Sequence, residues 1–93
     1  MAASSPHDTW TPYVRELGIA LSRARARRGL SQERVAAAAG LSAFTYRKLE
    51  KGESNPGTPA NPRLRTLVSL AEVLGVPVAA LLPPDPDGVA PGR

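Results

Sequence analysis

The chain of 93 residues has no cysteine, which excludes disulfides and thiolate metal sites and leaves the compartment open. Its one histidine, His7, stands beside Asp8 in an N-terminal stretch without periodicity, so no imidazole is expected in a catalytic or metal site. Gly-rich phosphate loops, paired metal ligands and an HExxH arrangement are missing, and no serine has an evident activating base. The expectation is a protein that is not an enzyme and needs no metal or cofactor. No apolar run approaches the roughly 18 residues of a membrane span, and the first residues lack the basic-then-apolar order of a signal peptide. A soluble, cytoplasmic protein with no membrane partner is expected. Aromatic residues are scarce, with one Trp, one Phe and two Tyr, so the place of each is informative.

What is present is positive charge in one region. The formal net charge is +4. Residues 15 to 51 carry nine Arg or Lys against Glu16, Glu33 and Glu50, a balance of +6, and the remainder of the chain sums to −2. Such a concentration suits phosphate binding with counterion release, although acidic proteins and membrane surfaces also attract basic chains. The high content of Ala, Arg, Pro and Gly fits a GC-rich bacterial source. A chain this short buries roughly 60% of its unfolded surface and supports a single small core.

The basic region contains two short helix patterns that meet at Ala39-Gly40-Leu41. Ser31 and Ser42 each precede an apolar-periodic stretch, where a hydroxyl can accept from free amides of the first turn. Val35, Ala36 and Ala39 form an inward stripe, and Gly40 can adopt the positive φ that turns one helix sharply into the next. Two short helices crossing through a tight Gly-containing turn form a helix-turn-helix, whose second member can enter the DNA major groove. On the wheel of that second helix, Tyr46, Leu49 and Glu50 lie on one side and Phe44, Arg47, Lys48 and Lys51 on the other. The three cations could be an ordinary solvated face, and Phe44 could pack on a tail or a second subunit. Phe44 amid cations also suits contact with a thymine methyl while Arg or Lys reads guanine.

With these residues the sequence resembles the phage-repressor and Cro-type helix-turn-helix family, also called the XRE family, over roughly residues 14 to 82. The matching positions are Leu17, Leu21, Arg25, Gly29-Leu30-Ser31-Gln32-Glu33, Ala36, Gly40-Leu41-Ser42, Leu49-Glu50 with Gly52, Asn55-Pro56, and Leu67 through Leu70-Ala71 to Leu74-Gly75-Val76. The resemblance implies an all-α fold, a compact five-helix bundle with flexible termini, that binds double-stranded operator DNA, usually as a homodimer, and regulates transcription. It puts base reading on Ala43, Phe44, Arg47 and Lys48 and phosphate binding on Ser31, Gln32 and Lys51. Ser42 joins the phosphate set as the cap of the reading helix. It also implies a partly buried ion pair between Arg25, which continues the Leu17 and Leu21 stripe, and Glu50. Three departures stand out: Ala43 and Phe44 replace polar residues, Tyr46 takes a site usually held by a branched aliphatic, and the loop from Glu53 to Pro62 is long.

The rest of the chain divides into a flexible tail at 1–10, the DNA-binding body at 11–82 and a disordered tail at 83–93. Thr11-Pro12 reads as N-cap and first position of a helix to about Arg28, stopped by Gly29. Trp10 could still pack on the body. Gly18 lies within that helix and permits close approach of another segment. Residues 52–62, GESNPGTPANP, read as a loop. Asn61-Pro62 repeats the cap signature and opens a helix to Leu74, with Leu64, Leu67, Leu70, Ala71 and Leu74 as its core stripe. Arg63 and Arg65 then sit in its first turn, against the dipole, either as solvated arginines or as further phosphate contacts. Pro77 begins a last short helix through Leu82, stopped by Pro83-Pro84. Two functional classes are compatible with all of this: a sequence-specific transcriptional regulator, most simply a repressor, or a protein-interaction module such as an antitoxin or partner-binding adaptor on the same bundle.

Overall fold

The chain path, given by a computed structural model that describes residues 8–86 and 88, follows the punctuation of the sequence at most helix ends. Helix α1 spans Trp10–Arg28, α2 Gln32–Ala39 and α3 Ala43–Glu50; two short strands follow, β1 at Glu53–Asn55 and β2 at Thr58–Pro59; then come α4 at Leu64–Leu74 and a 3₁₀ turn at Val78–Leu81. Between α2 and α3, Gly40 adopts φ 76°, and the Leu41 amide donates back to the Ala36 carbonyl at 2.8 Å. A side chain at that φ would be strained, which is why the sharp stop falls on glycine. The ends of α1 and α4 at Gly29 and Gly75 are built in the same way. Ser31 Oγ accepts from the Arg34 amide and Ser42 Oγ from the Thr45 amide, both at 3.0 Å, so α2 and α3 begin on side-chain caps.

Several expected boundaries are corrected. Thr11 does not cap α1, because Asp8 does: its Oδ1 accepts from the amides of Trp10 at 3.0 Å and Thr11 at 3.2 Å, and the Thr11 hydroxyl donates to its Oδ2 at 2.7 Å. The carboxylate takes both amides on one oxygen and the Thr11 hydroxyl on the other, and its charge complements the helix dipole, which a neutral hydroxyl cannot do. The helix therefore starts at Trp10, whose indole nitrogen donates to the Ala60 carbonyl at 2.8 Å and whose ring stacks on Tyr13 at 5.3 Å between centroids. Residues 1–7, with His7, and 87 and 89–93 lie outside the described residues.

The segment read as a loop at 52–62 contains a hairpin. Strands β1 and β2 pair antiparallel, Asn55 opposite Thr58 and Glu53 opposite Pro59, with an irregularity between Glu53 and Asn55. Pro56-Gly57, with Gly57 at φ 80°, supplies the proline and positive-φ positions of a type II turn. Strands of three and two residues are too short to show period-two patterning. Helix α4 does not open on Asn61-Pro62 but two residues later, with Arg63 in extended conformation at its N-cap and no side-chain cap. The preceding residue is already fixed elsewhere, since the Ala60 amide donates to the Gly52 carbonyl at 2.8 Å. Leu64, expected in the core stripe, is 70% exposed, because it is the first helical residue and no neighbour covers it.

The five-helix count is also corrected: among the described residues there are four α-helices, the small sheet and one 3₁₀ turn. The closing segment is held by the Ala80 amide on the Pro77 carbonyl at 2.9 Å. Pro83 and Pro84 offer no amides with which a longer helix could continue. The core gathers one face from each helix: Val14, Leu17 and Leu21 of α1, Val35 and Ala36 of α2, Tyr46 and Leu49 of α3, Leu67, Leu70, Ala71 and Leu74 of α4, and Leu81 of the 3₁₀ turn. Helix α2 packs on both α3 and α4, and α1 packs on α3. None of these helices is long and apolar enough to cross a membrane.

Candidate nucleic-acid interface

Helix α3 is held from behind by one carboxylate. Glu50 points inward beside fully buried Tyr46 and buried Leu49, and its side chain is 7% exposed. Arg25 of α1 donates to it twice, Nε to Oε2 at 2.7 Å and Nη2 to Oε1 at 3.2 Å. Gln32 of α2 donates its amide to Oε1 at 2.8 Å, and the Tyr46 hydroxyl donates to Oε2 at 2.5 Å. Both oxygens are thereby filled, and among the described residues no buried side-chain polar atom lacks a partner. The buried phenol of Tyr46, unusual for the family pattern, has its acceptor inside the same turn-to-turn contact. Arg25 also donates to the Leu30 carbonyl at 3.1 Å, so one guanidinium ties α1, the turn before α2 and α3 together.

The ionisation of this group follows from the geometry. Burial pushes the Glu50 carboxyl up, but the hydrogen bonds from Arg25, Tyr46 and Gln32 outweigh it and leave the group below the usual carboxylate range. Burial, and then the hydrogen bond to the Glu50 carboxylate, push the Tyr46 phenol well up, so it remains a donor. The hydrogen bond to Glu50 holds the Arg25 guanidinium above its ordinary value. Another contact uses the absence of a side chain: a Cβ on Gly18 would strike the Glu50 carbonyl and come within 2.9 Å of the Leu49 carbonyl. Helix α1 thus approaches the backbone of α3 directly.

With its inner face fixed, α3 presents the opposite face. Phe44 is 57% exposed, and Arg47 and Lys51 are exposed. Lys48 lies partly covered, its Nζ 5.6 Å above the Phe44 ring and 3.7 Å from the Glu53 carboxylate of β1. Arg47 reaches Glu33 of α2 at 3.5 Å, with both groups well exposed. Ala43 is partly covered at the start of the helix, behind the Ser42 cap. Sequence spacing did not reveal that Glu33 and Glu53 rest against the two central cations, because both pairs join different elements. The Lys48 ammonium and the Phe44 ring form one surface, a cation over a π face, with an apolar edge left open.

The other expected phosphate positions are spread around this face. Ser31 and Ser42 are exposed caps of α2 and α3. Gln32 is tied to Glu50 through one amide hydrogen and keeps its second hydrogen and its carbonyl available. Arg63 lies across a groove of about 320 Å³ from Thr45 of α3. Arg65 is exposed in the first turn of α4 and makes no ion pair with α3 among the described residues. A cationic strip runs along the outside of α3, with helix N-termini at Ser31 and Ser42 beside it. Among the described residues no cluster of three or more His, Cys, Asp or Glu could hold a metal ion.

A family model for the helix-turn-helix domain matches residues 16–82. The chain belongs to the helix-turn-helix family, of the phage-repressor and Cro type. Among solved structures, this helix-turn-helix chain is similar to the restriction-modification controller protein C.AhdI from Aeromonas hydrophila, at 28% identity and TM-score 0.64 over 74% of this chain and 96% of that one. The DNA-binding domain of BldD is 31% identical, with TM-score 0.63 over 78% of this chain and 97% of that domain. The clp gene regulator ClgR from Corynebacterium glutamicum is 28% identical, with TM-score 0.64 over 74% of this chain and 67% of its own. No curated protein matches the chain.

Proposed function

We propose that the protein is a sequence-specific DNA-binding transcriptional regulator, acting as a repressor by occupying its operator, and that α3 reads the major groove. The observation that carries this reading is the exposed Phe44 ring within a cationic face whose opposite side is fixed to α1 and α2 through Glu50. A rigid helix can hold side chains in register with base edges, and an apolar ring suits a thymine methyl beside guanine acceptors read by Arg47 or Lys48. The likeness to the DNA-binding domain of BldD and to the clp gene regulator ClgR supports the same class. Eight residues of α3 span about 12 Å, enough for roughly four base pairs, so useful specificity calls for two copies on a near-palindromic site with half-sites about 34 Å apart.

Selection of bound sequences from a random duplex library tests this directly. A near-palindromic motif is expected, with affinity falling steeply as salt rises. Lys48→Ala is expected to weaken the selected site by about 1–3 kcal/mol and relax preference at particular bases, whereas Lys51→Ala weakens all sequences alike. Failure of the wild-type protein to bind any duplex at low ionic strength, or no enrichment over the starting pool, refutes the reading. A protein-interaction module would show the first outcome while still capturing its partner at high salt.

A further inference from the structure

Beside the reading face, an open cavity of about 430 Å³ lies between α1 and α3, with Ile19, Ser22 and Arg23 of α1 on one wall and Arg47 and Lys51 of α3 on the other. Gln32 and Glu50 complete its lining. The one carboxylate here is already satisfied: Arg25 neutralises Glu50, and donors from three residues occupy its oxygens. The cavity is therefore cationic in effect. Among the described residues neither Arg23 nor Lys51 has a carboxylate within ion-pair distance, and Arg47 reaches only the exposed Glu33. Ile19, 40% exposed, adds an apolar patch beside the cations.

Resting on the DNA-reading role of α3, we propose that this cavity seats one sugar-phosphate unit of the DNA backbone, and that Arg23 and Ser22 are phosphate-binding residues alongside Lys51 and Gln32. An anion between the walls meets guanidinium or ammonium from both helices, a hydroxyl from Ser22 and the free amide hydrogen of Gln32. Ile19 faces the deoxyribose, which a bare inorganic anion does not supply. The seat lies beside Lys51, where α3 ends, and shares Arg47 and Lys51 with the outer face of that helix. Phosphate contact here fixes the angle of α3 on the duplex and carries no base preference. Nothing in the spacing of α1 singled out Arg23 among the five arginines of that helix; only the packing of α1 on α3 does so.

The test compares Arg23→Gln with Arg28→Gln, which removes the same charge beside Gly75 at the far end of α1. For Arg23→Gln, affinity should fall about 3- to 10-fold on selected and scrambled duplexes alike, and the slope of log affinity against log salt should become shallower by about 0.9. Arg28→Gln should change the slope by much less. An unchanged slope for Arg23→Gln, or the same change for both variants, overturns the proposal while leaving base reading by α3 intact. In a second arm, inorganic phosphate and thymidine 5′-monophosphate are titrated into the wild-type protein while the amide signals of Ser22, Arg23 and Lys51 are followed. Tight, saturable binding of either free anion together with an unchanged salt slope for Arg23→Gln assigns the seat to a soluble ligand and also overturns the proposal. If the wild-type protein binds no duplex, both readings fall.

Discussion

Replacing Arg25 by methionine isolates the contact on which the orientation of α3 depends. Methionine keeps an unbranched, largely apolar stem out to the ε position and its packing but removes the guanidinium charge and both donors to Glu50, together with the bond to the Leu30 carbonyl. Glu50, 7% exposed at its side chain, would keep only Gln32 and Tyr46 as donors and would have no cation. Breaking a fully buried pair costs about 3–5 kcal/mol. Arg25 is 21% exposed, so water can partly replace it, and a loss of about 2–3 kcal/mol is expected. In a domain of this size that lowers Tm by roughly 10–20 °C. Urea unfolding followed by far-ultraviolet circular dichroism measures it, with an unchanged m-value showing that the two end states are the same. Adding Glu50→Gln to Arg25→Met should cost less than Glu50→Gln alone, because the stranded charge has gone. A loss below about 0.5 kcal/mol, typical of exposed pairs, would refute the assignment of Arg25 and Glu50 as a buried lock.

Acid should weaken the fold through the same carboxylate. Glu50 lies below its ordinary value in the folded chain, so the unfolded chain binds the additional proton and stability falls as pH drops below about 4.5. Stability measured from pH 7 to pH 3 should fall less for Glu50→Gln than for wild type; parallel curves would contradict this. Asp8, lowered mainly by its hydrogen bonds to Thr11, adds a slope of the same sign that remains in that variant. Gly18→Ala gains about 1 kcal/mol of helix propensity but drives a methyl into the carbonyls of Glu50 and Leu49, and a net loss of about 1–2 kcal/mol is expected. A more stable Gly18→Ala protein, by thermal melting, would show that α1 and α3 are not in direct backbone contact.

The sequence was legible where local rules decide structure. Ser31, Ser42 and Gly40 set the ends of α2 and α3 through hydrogen bonds and dihedral angles that depend only on near neighbours. Periodicity placed Tyr46 and Leu49 inside and Phe44 outside, since each lies near the middle of its stripe. It misplaced Leu64, because a repeating pattern gives a side chain its direction but says nothing of whether a neighbour lies there. The hairpin at Glu53–Pro59 was hidden for another reason: its strands are shorter than the pattern needed to recognise them.

By itself, then, the amino-acid order determined that short capped helices would form and that one of them would carry cations around a lone phenyl ring, because those outcomes rest on interactions within a few residues. Only the tertiary structure decided what the cations meet. Lys48 rests against Glu53, Arg47 reaches Glu33, and Arg23 joins Lys51 across a cavity, in each case because packing brings together segments that the chain keeps apart. The fourfold coordination of Glu50 is of this second kind as well: its donors come from three helices, and no single stretch of sequence contains them all.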